Sequence, residues 1–201
     1  MKKFTWGPYL FVICALISFA ATITCDKNWG KVDVIIFSYN RPMQLYALLE
    51  SIEKYLDGIG GIAVIYRAGN DRFYKNYHVV QLSFPTVHFI LQENAPNDFK
   101  SLLMQELAVG KAAYVMFAVD DMIVKNSADL SLCISMLEKA GAYAFFLRLG
   151  LHVNANYPDG IIQTLPLLQK IDSGIYGWIF NSKTNIADWR YPHTVDNGHV
   201  S

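Results

Sequence analysis

Five apolar, β-rich runs alternating with helix-face stripes constrain this chain more than any other feature of it. The runs are Val32 to Phe37, Ile62 to Tyr66, Val87 to Leu91, Tyr114 to Val119 and Tyr143 to Leu149. Most are apolar at nearly every position, which is the pattern of strands covered on both faces. Behind Pro42, a residue pre-set for a first helical turn, Leu45, Leu48, Leu49, Ile52 and Leu56 recur at helix-face spacing. Phe99, Leu102, Leu103 and Leu107 repeat the pattern, with Gly110 as the expected terminator. A third stripe, Leu130, Cys133, Ile134 and Leu137, is opened by Ser127 as the expected cap and closed near Gly141. Strands alternating with helices in this way predict an α/β layer architecture with a mostly parallel central sheet flanked by helices. Gly58, Gly60 and Gly61, just before the second strand, read as a helix exit.

The 201 residues suffice for one sizeable core, since a domain takes roughly 150. The expected division is a leader over 1–25, a polar linker over 26–31 and a single domain over 32–201. Lys2 and Lys3 precede the charge-free stretch Tyr9 to Ala21, the layout of a cleaved secretory signal or of an N-terminal membrane anchor. Either makes the protein exported or membrane-associated, with membrane contact through this segment if it is retained. A Golgi-type lumen follows for a eukaryotic host; for a bacterial one the side of the membrane stays open. The 17 Lys and Arg balance the 17 Asp and Glu, so no net field draws the chain to nucleic acid or anionic lipid. Three cysteines at no metal or framework spacing define neither a zinc site nor a disulfide scaffold. Beyond Leu151 the rhythm fails, and glycine, proline, asparagine and aromatic residues suggest loops lying over the sheet, where binding groups usually sit.

Ligands of open α/β sheets bind outside the carboxyl ends of the strands, so the residues following each strand carry the candidate chemistry. The first strand ends in Ser38-Tyr39-Asn40-Arg41-Pro42, the second in Arg67-Ala68-Gly69-Asn70-Asp71, and the fourth in Asp120-Asp121. Two adjacent carboxylates at a strand end repel each other unless a cation offsets them. A divalent ion does so, and hard oxygen ligands favour Mn2+ or Mg2+, which complete their shell with phosphate oxygens and water. A solvated turn or helix cap is the plainer alternative for the same pair. Arg41 and Arg67 are placed to meet a diphosphate, with ordinary salt bridges equally open. Tyr39 can stack on a base or simply pack, and Trp178 and Trp189 can offer a sugar platform or fill the core. No Gly-x-Gly-x-x-Gly and no Gly-Lys-Ser/Thr loop follows the first strand, which argues against a dinucleotide-dependent dehydrogenase and a P-loop ATPase.

The string Val32 to Pro42, followed by its leucine-rich helix, resembles the opening of glycosyltransferase family two and its GT-A relatives. The stretch Phe117-Ala118-Val119-Asp120-Asp121-Met122-Ile123-Val124 is similar to the acidic motif of that fold, nearest to a Glu-Asp-Asp variant with Val119 in place of the first acid. The resemblance implies a GT-A (Rossmann-like) single domain. On it, Ser38, Tyr39, Asn40, Arg41 and Asp120 would bind the nucleotide sugar and Asp121 would coordinate the metal; Arg67 and Asn70, at the end of the second strand, are expected by position to join the nucleotide-sugar site. The tail Asp188 to His199 is similar to a Trp-x-Tyr-Pro…Asp-Gly-His segment of a bacterial branch of these enzymes. That likeness implies Asp196 as general base and His199 as a metal or diphosphate ligand.

The expected activity is therefore divalent-metal-dependent, inverting transfer of a hexosyl or N-acetylhexosaminyl group. The donor is a nucleotide sugar, UDP-linked by preference, and the acceptor a hydroxyl of a glycan, lipid or protein. The competing expectation is an exported, catalytically silent GT-A-like domain that binds glycans or a partner. It is motivated by the leader and by a chain that ends at Ser201, shortly after the expected base, as a C-terminally truncated copy would. A nucleotidyltransferase ranks last, because the turn Ser38 to Pro42 lacks the Gly-rich basic loop it needs.

Overall fold

The computed structural model describes residues 15–18, 28–147, 151, 162 and 167–179. Along the chain run β1 (Ala15–Ser18), β2 (Asn28–Tyr39), α1 (Pro42–Tyr55), β3 (Leu56–Asp57), β4 (Ile59–Arg67), α2 (Asp71–Ser83) and β5 (His88–Leu91). There follow α3 (Phe99–Val109), β6 (Ala112–Val119), β7 (Ala128–Asp129), α4 (Leu130–Ala140), β8 (Ala144–Phe146), β9 (Gln169–Asp172) and β10 (Ile175–Gly177). The central sheet has the order β5-β4-β2-β6-β1-β8. Its first four strands are parallel, while β1 pairs antiparallel with both β6 and β8. The expected α/β class, a mostly parallel sheet flanked by helices in a Rossmann-like arrangement, is the one observed.

The period of two along each strand feeds two cores. Val34, Ile36, Val64, Tyr66, Met116 and Ala118 are buried against Leu45, Leu48, Leu49 and Ile52 of α1, Tyr77 and Val80 of α2 and Leu130, Cys133, Ile134 and Leu137 of α4. Ile35, Ile65, Val115 and Phe117 turn the other way and meet Leu102, Leu103 and Leu107 of α3. Each buried leucine or isoleucine contributes about 1.5–3 kcal/mol through removal from water, and this sets the two layers on the sheet.

Local chemistry sets the helix ends. Pro42 occupies the first turn of α1, where a missing N–H costs nothing. At the other end of α4, Gly141 takes the left-handed conformation, φ 57°, and its N–H reaches Glu138 O at 3.0 Å, the stop anticipated for this helix. Its cap, however, is Asp129 rather than Ser127: the Asp129 carboxylate accepts from Ser131 N at 2.8 Å. Gly110 does end α3, but through close approach rather than a left-handed turn. A Cβ there would stand 2.8 Å from Asp33 Oδ2, which accepts from Ala112 N at 3.0 Å.

Other expectations are revised. Residues 28–31, read as linker, extend β2; Gly60 and Gly61, read as a helix exit, lie within β4, and only Gly58, with φ 90°, serves the turn before it. The fifth strand shrinks to Ala144–Phe146. Within the stretch expected to be a leader, Ala15–Ser18 is placed in the sheet as β1. No helix among the described residues is long and apolar enough to cross a membrane.

Candidate functional site

From β2 the chain passes outward through β4 to β5 and then returns to the other flank of β2 as β6. The order thus reverses between β2 and β6, and a crevice opens at the carboxyl ends of strands at such a point. Register aligns those ends, pairing Phe37 with Val119 and Tyr39 with Arg67. The result is a cleft of about 350 Å3 lined by Phe37, Ser38, Tyr39, Arg41, Ile65, Arg67, Gln92, Phe99, Val119, Asp120 and Asp121. That volume lies at the small end of the range for ligand pockets.

Asp120 and Asp121 occupy the turn closed by Met122 N donating to Val119 O at 3.3 Å, so the neighbouring carboxylates leave the chain in different directions. Asp120 turns inward and is 5 % exposed. Its Oδ2 accepts from Ser38 Oγ at 2.8 Å and from Tyr39 N at 3.2 Å, while its Oδ1 lies 3.6 Å from Arg41 Nη1. The Asp121 side chain is 47 % exposed and its Oδ2 accepts from the same Arg41 nitrogen at 2.9 Å. Burial raises the Asp120 carboxyl above its ordinary value, the bonds from Ser38 and Tyr39 N and the charge of Arg41 pull it back, and the neighbouring Asp121 adds to the rise.

Behind Asp120 stands a chain of donors whose direction is fixed. Arg41 N can only donate, and it reaches Tyr77 Oη at 3.1 Å; the Asp120 carboxylate can only accept. The Tyr77 hydroxyl, 2.6 Å from Ser38 Oγ, must therefore donate to Ser38, and Ser38 to Asp120. Tyr77 is fully buried in α2, and burial pushes its phenol above the usual range. This network ties the start of α1, the face of α2 and the ends of β2 and β6 to one carboxylate oxygen, leaving Oδ1 of Asp120 towards Arg41.

The remaining strand-end residues divide between lining and bracing. Arg67 stacks on the Tyr39 ring at 5.1 Å from its centroid, and both line the cleft. Asn40 adopts φ 56°, a left-handed conformation that asparagine tolerates, and its Oδ1 accepts from Gly69 N at 2.6 Å. A Cβ on Gly69 would come within 2.8 Å of Asn40 Nδ2, so this pair clamps the turn after β2 to the turn after β4. Asn70 caps α2, its Oδ1 accepting from Phe73 N at 3.1 Å. Neither Asn40 nor Asn70 is among the lining side chains. Asp196, His199 and Trp189 lie outside the described residues. Trp178 is 5.6 Å from Phe146, ring centre to ring centre, and lines no part of the cleft.

Three residues of the site escaped the sequence reading. Gln92 follows β5 at the same strand-end level as the acids, a position that could have drawn attention. Phe99 belongs to the helix stripe expected in the core, yet it is exposed and lines the cleft beside Phe37 at a ring separation of 5.3 Å. Tyr77 carried no local signal at all.

Among the described residues no group of three His, Cys, Asp or Glu side chains converges on one point. Two carboxylates do meet at the cleft, bridged by the exposed Arg41 side chain, and a hard cation that takes its other ligands from phosphate and water fits there once Arg41 gives way. Formal charge agrees: the guanidiniums of Arg41 and Arg67 are balanced by the two aspartates, so an anionic diphosphate gains a net attraction only with a further cation. A larger cavity, about 550 Å3, opens at the amino ends of the strands, where His88 Nδ1 and Glu106 Oε2 lie 3.3 Å apart. It is remote from the switch point and has no paired acids.

No family model matches the chain. It is 29% identical over 176 residues, 80% of its length, to the bifunctional glycosyltransferase pgtA of Dictyostelium discoideum. The chain spans about a fifth of that relative, 22% of its length. A solved 4-diphosphocytidyl-2C-methyl-D-erythritol synthase superposes on 46% of this chain and 48% of its own with a TM-score of 0.34 at 15% identity, a level that decides nothing. Over four-fifths of its length, then, this chain is a sequence relative of a glycosyltransferase, the kind of protein its strand-end motifs resemble.

Proposed function

We propose that this domain transfers a sugar from a nucleotide-sugar donor, UDP-linked by preference, to a hydroxyl of a glycan, lipid or protein, with inversion and with Mn2+ or Mg2+. The observation that carries the reading is the convergence of Ser38, Tyr39, Arg41, Arg67, Asp120 and Asp121 at the switch point of the sheet. The relative's activity supports it. Asp121 and Oδ1 of Asp120 would hold the metal, which supplies charge to offset the leaving diphosphate. Arg67 offers a second positive group to that diphosphate, and the Tyr39 ring a face for the base. Ser38, itself held by Tyr77, orients Asp120. Asp196 is proposed as the general base for the acceptor hydroxyl and His199 as a further ligand, on the resemblance of the tail. Hexosyl or N-acetylhexosaminyl specificity, and export or membrane contact through the N-terminal segment, belong to the same proposal. The test is sugar-nucleotide turnover of Asp121→Asn with Mn2+ present: a loss of at least a hundredfold in a folded variant is expected, and full retention would remove the metal role.

A second reading, a silent GT-A-like domain that binds glycans or a partner, is favoured by one observation. Arg41 already bridges both acids and offsets one of their two charges, so much of their mutual repulsion is relieved in the ligand-free state without a metal. The two readings differ in whether nucleotide binding depends on metal.

A further inference from the structure

We propose, resting on the transferase reading, that Arg41 is a resident counter-cation which holds the acid pair until metal and diphosphate arrive together, and which then passes to the diphosphate. Arg41 blocks the cation position by geometry. Asp120 Oδ2 is already taken by Ser38 and Tyr39 N, which leaves Oδ1 as the carboxylate oxygen facing the cleft, and Arg41 Nη1 lies 3.6 Å from it. The same nitrogen receives Asp121 Oδ2 at 2.9 Å.

Arg41 is also held in a way that lets it leave. One guanidinium nitrogen makes both contacts, so the grip is end-on rather than the two-bond fork that makes arginine–carboxylate pairs strong. The side chain is 48 % exposed, where such a pair is worth little more than ~1 kcal/mol. Its backbone, by contrast, is fixed: N donates to Tyr77 Oη at 3.1 Å, and O accepts from Leu45 N at 3.0 Å. A long side chain swinging from an anchored Cα at the cleft edge can exchange one anion for another without moving the sheet. Metal alone must displace this cation and gains only the two acids. Metal with a diphosphate frees a guanidinium that has five donors to offer the same phosphates. Metal and nucleotide should therefore bind cooperatively, each raising the other's affinity by the same factor.

The test is Mn2+ binding to the full chain, followed by loss of the free-ion paramagnetic resonance signal, with and without UDP, for wild type, Arg41→Gln, Arg41→Lys and Arg67→Gln. Arg41→Gln is expected to bind Mn2+ alone about fivefold more tightly than wild type, the factor matching loss of an exposed pair. UDP should then raise its Mn2+ affinity by a smaller factor than in wild type. Arg41→Lys, which keeps the charge, should stay within twofold of wild type for Mn2+ alone, and Arg67→Gln should lose UDP affinity without any gain for Mn2+. Unchanged or weaker Mn2+ binding by Arg41→Gln, in a protein whose wild type still binds Mn2+ with UDP, overturns the role of Arg41 and leaves the transferase reading standing. Failure of wild type to bind Mn2+ and UDP in any combination overturns both.

Discussion

At the residue scale, the site depends on a few polar groups whose partners are unique. Ser38 stands between a phenol that must donate and a buried carboxylate that must accept, so it is the one side chain that satisfies both. Ser38→Ala is expected to lower stability by about 1–3 kcal/mol, since it leaves the Tyr77 hydroxyl without an acceptor and takes from Asp120 Oδ2 one of its two donors. Tyr77→Phe should cost about 1 kcal/mol, and the double variant less than the sum, because both changes cut the same chain; urea unfolding of the four proteins measures the coupling, and strict additivity would disprove the fixed donor order. How far such detail is legible in a sequence is clear from the same residues. Ser38, Tyr39, Arg41, Arg67 and the acid pair could be read because each directly follows an apolar strand. The Tyr77 hydroxyl could not, because its partners lie 39 and 36 residues away and a buried tyrosine in a helix looks like any core aromatic. Asn40 and Asn70 were legible as strand-end residues, but their work as clamp and cap depends on a left-handed turn and on a helix that the pattern did not reveal.

At the scale of elements, strongly periodic segments were readable and weakly periodic ones were not. The stripes of α1 and α4 bury four or more side chains each, so burial writes itself into the sequence. α2 buries only Tyr77 and Val80, and its aromatic and β-branched residues are poor helix formers, so neither period nor propensity announced it. It forms because Asn70 caps it and the sheet needs a crossover between β4 and β5. One tie between elements gives a pH-dependent prediction. Tyr114 of β6 donates its hydroxyl to Glu138 of α4, and burial, followed by the bond to and charge of Glu138, pushes the phenol up to about 12. A folded value above the ordinary 10.0 means that this contribution is fully present below pH 10 and is lost as pH rises through about 12. Wild type should thus exceed Tyr114→Phe in stability by about 1 kcal/mol at neutral pH, and the gap should close in thermal melts taken above pH 10. A gap constant to pH 12 would contradict the tie.

For the molecule as a whole, the sheet order explains why function collects at one end. A chain that lays strands outward and then returns past its first strand must leave a crevice where the directions part, and the groups at that crevice come from segments more than 80 residues apart. The class of fold followed from the alternation of strands and helices. The edges did not: residues 28–31 join β2 although Asn-Trp-Gly-Lys has the polarity of a linker, and Ala15–Ser18 enters the sheet antiparallel, where an apolar run suits a leader and a strand equally. The central claim is that the acids after β6 grip a diphosphate through a divalent ion at the switch point. Titration calorimetry of the full chain with UDP, in the presence and absence of Mn2+, tests it most directly. Binding is expected with Mn2+, at least tenfold weaker without it, and weakened to the metal-free level by Asp121→Asn. Equal affinity with and without Mn2+, or no binding in either, would contradict the account and leave the glycosyltransferase likeness a matter of scaffold.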